Sequence, residues 1–235
     1  MEDASGEAPD AASASASVAP LKQLRVDLVR LRYAPVVRDA RGGTSTRDVI
    51  HPLSTTFLPG TLTGLMGPSG SGKTSLLTVL AGFADEAHVH GAMLVNGERA
   101  PPPKKLVGLC FQDDLMLPAL TVFETLKFAA DLRMSRACTD AQRAAACETL
   151  LAKLNLGHVA SRLVGGAARR GVSGGERKRL AVAVELVTRP ALLLMDEPTS
   201  GLDAAAALAL VTLLRELAAN GQTVVCAIHQ PRTAV

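Results

Sequence analysis

The stretch Gly67-Pro68-Ser69-Gly70-Ser71-Gly72-Lys73-Thr74 joins Thr61–Met66, which reads as a short buried strand, to a helical pattern that reaches Leu80 and stops at Gly82. It satisfies GxxxxGK[ST] after a strand and at the opening of a helix, which is the context the motif requires. The glycines let the backbone curl so that its N–H groups point inward, at the positive end of a helix dipole, where phosphate oxygens bind. Lys73 can reach β- and γ-phosphates, and the Thr74 hydroxyl suits Mg²⁺. A Gly/Ser-rich turn of no consequence is the competing reading. A Lys-Thr pair at this offset, between these two elements, argues against it.

Outward from this loop, short apolar strands alternate with helices. Met93–Val95 enters a tight turn at Asn96-Gly97, and Leu106–Phe111 is a further strand. Thr139 to Gln142 fits a capping box, after which Cys147, Leu150, Leu151 and Leu154 follow helical spacing. Ala191–Met195 returns to strand. Leu210, Leu213, Leu214 and Leu217 mark a helix that ends near Asn220-Gly221, before a last strand at Thr223–Ile228. This alternation predicts a parallel α/β sheet interrupted by a mostly helical insert between Thr121 and Glu185. Upstream, Leu24, Val26, Leu28, Val29 and Leu31 start a strand-like region, and the polar stretch Asp39–Asp48 reads as a loop.

The strand Leu192-Leu193-Leu194-Met195 delivers Asp196 and Glu197 at its C-terminal end, where α/β sheets place their ligands. Asp196 suits the Mg²⁺ shell, and Glu197 is the candidate general base for an attacking water. Two solvated acids after a core strand would be the alternative if the phosphate loop were not present.

Composition bounds the function. The chain has 235 residues, 48% apolar and 20% charged, enough to bury a sizeable core. Lys and Arg number 25 against 22 Asp and Glu, a net +3 too small and dispersed to argue for nucleic acid or an anionic membrane. Aromatics are 3% with no Trp, which argues against a base-stacking platform as well. Cys110, Cys138, Cys147 and Cys226 lack metal spacing and read as reduced, buried thiols. Residues 1–20 are small and polar and read as a disordered tail before a domain over 21–235. No uninterrupted run of about 18 apolar residues occurs, so the chain alone is expected to be soluble.

Val172-Ser173-Gly174-Gly175-Glu176 would open a helix and offer N–H groups and a hydroxyl to an anion, and Ser173 stands 23 residues before Asp196. With this element the chain resembles an ATP-binding cassette, whose signature sequence it matches. The blocks Gln112–Leu126, Arg170–Arg179, Met195–Asp203 and His229–Arg232 are similar to those of the White/G-type half transporters. The basic run Arg177-Lys178-Arg179 reads as a solvated or interface helix face.

The resemblance implies an α/β P-loop NTPase (RecA-like) parallel sheet core with N-terminal antiparallel β elements and a helical signature subdomain at about 113–185. It implies ATP and Mg²⁺ as cofactors, with Gln112 as a glutamine loop that contacts the metal or water and senses a transmembrane partner. Ser200-Gly201-Leu202-Asp203 becomes a D-loop crossing a dimer interface, and His229 a switch histidine that holds the γ-phosphate and orients Glu197. Tyr33 is a candidate to stack on adenine, with a core or surface tyrosine as the alternative. The signature residues would face ATP held by a second cassette, identical or different.

Such cassettes power transmembrane helices, absent from this chain, that export lipids, sterols or drug-like amphiphiles. The resemblance therefore implies membrane association on the cytoplasmic face and no nucleic-acid partner. Family cassettes continue past the switch histidine, whereas this chain ends at Val235, so a missing C-terminal part is expected. A soluble cassette uncoupled from transport, or a non-catalytic nucleotide-binding module, are the rival readings.

Overall fold

The computed structural model describes residues 23–38, 43–113, 115–166 and 170–228. The expected disordered tail at 1–20 and His229 lie outside the described residues. The chain runs β1 (Val26–Tyr33), β2 (Val36–Arg38), β3 (Thr44–Thr46), β4 (Ile50–Phe57), β5 (Leu62–Met66) and α1 (Lys73–Leu80). It continues through β6 (Val89–Val95), β7 (Glu98–Arg99), β8 (Val107–Cys110), α2 (Val122–Arg133) and α3 (Asp140–Lys153). The last elements are α4 (Gly174–Leu186), β9 (Leu192–Asp196), α5 (Ala204–Ala219) and β10 (Thr223–Ile228). This is the expected mixed α/β architecture: a parallel sheet ordered β5-β10-β9-β8 and an antiparallel sheet ordered β4-β1-β6-β7.

β1 shows why its apolar pattern changes parity. Val26 and Leu28 are buried, and so is Leu31, three residues on. A bulge between Leu28 and Leu31, with Arg30 at φ 49°, inserts the extra residue that returns Leu31 to the core face. Opposite the bulge stands Gly91 at φ +89°, where a Cβ would meet the Arg30 carbonyl oxygen at 2.3 Å. Asn96 (φ 52°) and Gly97 (φ 88°) form the expected tight turn between β6 and β7.

Two sequence expectations need correction. Residues Thr44–Thr46 of the supposed loop pair as β3 with β2, an exposed hairpin that carries no apolar alternation to reveal it. β5 is not a buried strand: it lies at the sheet edge, and Met66 is 65% exposed. By contrast β9 and nearly all of β10 are buried, as their apolar runs predict.

Helix ends follow local chemistry. Thr121–Glu124, Thr139–Gln142 and Ser173–Glu176 each form a reciprocal capping box at the start of α2, α3 and α4. After α1, Gly82 at φ 70° closes a Schellman turn, its N–H on the Val79 carbonyl and the Phe83 N–H on the Thr78 carbonyl. Of the four thiols, Cys110, Cys147 and Cys226 are buried and Cys138 is half-buried; none forms a disulfide. Burial pushes the Cys226 thiol up to about 12, so it stays protonated. Among the described residues no helix is long and apolar enough to cross a membrane.

Candidate functional site

Four parallel strands bring their C-terminal ends to one edge of the sheet. β5 runs into Gly67, β8 into Gln112, β9 into Asp196 and Glu197, and β10 ends at Ile228. This is where an open α/β sheet receives its ligand. β10 stands between β5 and β9, so the strand ends that deliver the phosphate loop and the acids are separated by about 10 Å. α1 closes the gap: its Thr74 hydroxyl donates to Asp196 Oδ2 at 2.7 Å.

The loop over Gly67, Pro68, Ser69, Gly70, Ser71 and Gly72 wraps back on Lys73. The Lys73 ammonium donates to the Gly67 carbonyl at 2.8 Å and to that of Pro68 at 3.0 Å. Gly72 is the N-cap of α1 at φ 89°, and no side chain caps the helix there. The first-turn N–H groups therefore face the loop interior without a side-chain acceptor, as an anion site requires. The left-handed turn also lets the chain pass under Val49, whose carbonyl oxygen would lie 2.7 Å from a Cβ on Gly72. Val49 had no signal in spacing that marked it; it reaches the loop because its N–H pairs with the Tyr33 carbonyl at 2.9 Å.

Asp196 is buried, while Glu197 is half-buried and holds φ 45°. Its N–H donates to the Ala227 carbonyl (3.1 Å) and its carbonyl accepts from Ser200 N–H (3.0 Å). A non-glycine residue in this region costs on the order of 1 kcal/mol and persists where surrounding structure fixes it, commonly at working sites. Here both backbone bonds turn Glu197 off the strand at the ligand edge of the sheet.

The signature residues open α4 as expected, with a complication at Glu176. The Glu176 carboxylate accepts from the Ser173 N–H (2.7 Å) and hydroxyl (2.8 Å), and its other oxygen meets His158 Nε2 at 3.1 Å. Burial works against its ionisation, but the N–H and hydroxyl of Ser173 and the His158 ring together hold the carboxyl below the usual range. The Ser173 hydroxyl that the sequence offers to an anion is thus engaged by Glu176 in this structure. Gly174 lies against Leu202 and Gly175 against the start of α5, a Cβ on Gly175 falling 3.1 Å from that of Ala206. Val172 is buried beneath them.

In the stretch read as a D-loop, Ser200 and Gly201 are exposed but Leu202 is a core residue. Asp203 is the N-cap of α5, its Oδ1 accepting from Ala206 N–H at 2.8 Å. Tyr33 is half-buried and packs against the core beneath the antiparallel sheet. Gln112 is exposed at the end of β8.

The basic run of α4 is the clearest correction. Lys178 is only 4% exposed, and its ammonium donates to the carbonyls of Gln112 (2.8 Å) and Phe111 (3.4 Å). Arg177 donates to the carbonyls of Val164 and Gly165, both at 3.0 Å. These side chains brace loops rather than form a solvated face. Charge runs carry no trace of such partners, because the carbonyls come from segments remote in sequence.

Beside Gln112 lies an apolar groove of about 310 Å³ lined by Leu109, Phe111, Leu117, Phe128, Leu132 and Val184 among others. Phe111, Leu117, Phe128 and Leu132 are each at least half exposed.

A profile of the ABC transporter family matches residues 50–200. ABC transporter G family member 22 of Dictyostelium discoideum is 37% identical over 221 residues, covering 91% of this chain and 35% of its own length. ABC transporter G family member 7 of Arabidopsis thaliana is 42% identical over 217 residues, 90% of this chain and 30% of that protein. Member 25 from the same plant is 43% identical over 210 residues, 88% of this chain and 31% of its own. The chain spans about a third of the length of these relatives.

Proposed function

The chain belongs to the ABC transporter family, as an ATP-binding domain akin to the G-family members, and from that premise we propose that it hydrolyses ATP to power export of lipids, sterols or other amphiphiles. The observation that carries the ATPase reading is the 2.7 Å bond between Thr74 and Asp196, residues 122 positions apart. It joins a phosphate loop to an acidic strand end, with Glu197 next along. These are the parts that phosphoryl transfer needs: a cradle for the phosphates, a metal anchor and a group to receive the proton of water.

Thr74 Oγ1 and Asp196 Oδ2 are hard oxygen donors, and they fit Mg²⁺, which takes few protein ligands and keeps several waters. When bound, Mg²⁺ neutralises charge on the β- and γ-phosphate oxygens. The loop N–H groups and Lys73 hold the phosphates and stabilise charge on the transferring group. Glu197 accepts the proton of a water that attacks the γ-phosphorus, while the bond from that phosphorus to the bridging oxygen breaks and ADP leaves. Gln112 contacts the same water, or would contact the metal, and His229 holds the γ-phosphate and orients Glu197. Two cassettes close head to tail, with Ser173, Gly174 and Gly175 of one facing the nucleotide of the other. The Ser173 hydroxyl exchanges Glu176 for phosphate on closure.

The groove beside Gln112 receives a segment of the transmembrane domain on the cytoplasmic side. Its exposed Phe111, Leu117, Phe128 and Leu132 form a contiguous apolar surface that calls for a partner. The relatives, named as transporters, have about two-thirds of their length beyond the matched region from which to supply one.

Glu197→Gln tests the reading. The variant retains ATP affinity, measured by equilibrium binding, while the hydrolysis rate falls at least about 100-fold, the range for loss of a general base. Turnover at the parental rate would remove Glu197 from this role.

A further inference from the structure

One face of α4 holds the strand that leads to Gln112 residue by residue. Glu185 Oε2 accepts from the Leu109 N–H at 3.3 Å, and the Ala181 carbonyl accepts from Cys110 Sγ at 3.7 Å. Lys178 then donates to the carbonyls of Phe111 and Gln112. The spacing 178, 181, 185 is one stripe of a helix, and it runs alongside residues 109 to 112 in the opposite direction. Arg133 of α2 adds a two-pronged ion pair to Glu185, at 2.9 and 2.7 Å. The same helix begins with Ser173, whose Cα precedes that of Lys178 by about 7–8 Å along the axis.

Stability does not account for a lysine at this place. A buried ammonium carries a desolvation penalty, and apolar residues of similar volume are commonly as stable or more so. An apolar side chain would pack there but could not hold two carbonyls. We propose that Lys178 is a positioning residue that clamps the Gln112 segment to the signature helix, so that Gln112 and Ser173 move as one body when nucleotide binds. This rests on the ATPase reading for its consequence, although the clamp itself is a property of the fold. It makes the basic run after the signature a mechanical link between the nucleotide of the partner cassette and the groove beside Gln112.

The test is Lys178→Met in the full chain, read by backbone order parameters of residues 111–113 from NMR relaxation and by steady-state ATP hydrolysis. Loss of the charge-assisted bonds to the two carbonyls should lower the order parameters there from the rigid-backbone value of about 0.85 to below about 0.6, with the melting temperature unchanged or higher. The kcat should fall about tenfold at an unchanged KM, as expected for a misplaced orienting group. Lys178→Arg, which keeps donors for both carbonyls, should restore order and turnover. Unchanged order parameters, or lowered ones with undiminished kcat, would overturn the proposal, as would a Lys178→Met chain that fails to fold. If the parent chain itself shows no hydrolysis, the ATPase reading falls, whereas the order-parameter comparison still decides whether the clamp exists.

Discussion

Gly70 and Gly72, in the loop before α1, share a left-handed φ and have very different surroundings, which makes them a matched pair. Gly70 sits at φ +78° with nothing within 4 Å of the place a Cβ would take, and Gly72 at φ +89° with the Val49 carbonyl oxygen 2.7 Å from that place. Gly70→Ala therefore incurs only the left-handed backbone penalty, about 1–2 kcal/mol. Gly72→Ala incurs the same penalty and must also displace main chain at Val49. Overpacking of that kind adds about 1–3 kcal/mol. At about 2–4 °C per kcal/mol for a chain of this size, the melting temperature should fall by about 2–8 °C for Gly70→Ala and by about 4–20 °C for Gly72→Ala. Circular dichroism melts without nucleotide give both numbers under identical conditions. Equal losses for the two variants would refute the close passage of Val49 beneath the loop, and with it the account of why Gly72 caps α1.

Glu176 supplies a pH test. Its carboxyl is held below the usual range, so between its folded and unfolded values the unfolded chain binds more protons and stability rises with pH. The stabilisation is complete above the unfolded value of about 4.3 and is lost as pH falls through the lowered folded value. Glu176→Gln should flatten the acid limb of the denaturation midpoint against pH; an unchanged limb would remove Glu176 as its source. For Tyr33, packing against the core predicts that Tyr33→Leu lowers the melting temperature by a few degrees and leaves the Kd for ATP within about twofold. A loss of affinity of about fivefold or more would instead assign the ring to the adenine, given the strength of base stacking.

The glycine-rich turn between β5 and α1, the acid pair after β9, the capping box at Thr139 and the turn at Asn96-Gly97 were legible because each is chemistry within a few consecutive residues. A Gly-rich turn, a Thr three residues before a Gln, or four apolar residues ahead of an Asp carry their meaning in local spacing. The resemblance of the motifs, in order, extended that reading to the whole domain. Strand order was another matter. That β10, the last described element, inserts between β5 and β9 is decided by pairings across more than 150 residues, from Met66 to Ile228, and no local period encodes them.

The same limit explains the misread basic run. Periodicity and charge say that Arg177 and Lys178 lie on a helix, but their partners are backbone carbonyls, which every residue possesses and no sequence pattern displays. The bulge at Arg30 went unread in the strand-like pattern of Leu24 to Leu31, because only the partner strand, with Gly91 opposite, shows what accommodates it. By itself, then, the sequence determined which chemical groups this protein carries and in what order. The tertiary structure decided which of them meet: Thr74 with Asp196, Ser173 with Glu176, and Lys178 with the segment that presents Gln112. The physical reason is that side-chain chemistry is written locally, while burial and main-chain hydrogen bonding are settled only when distant segments pack.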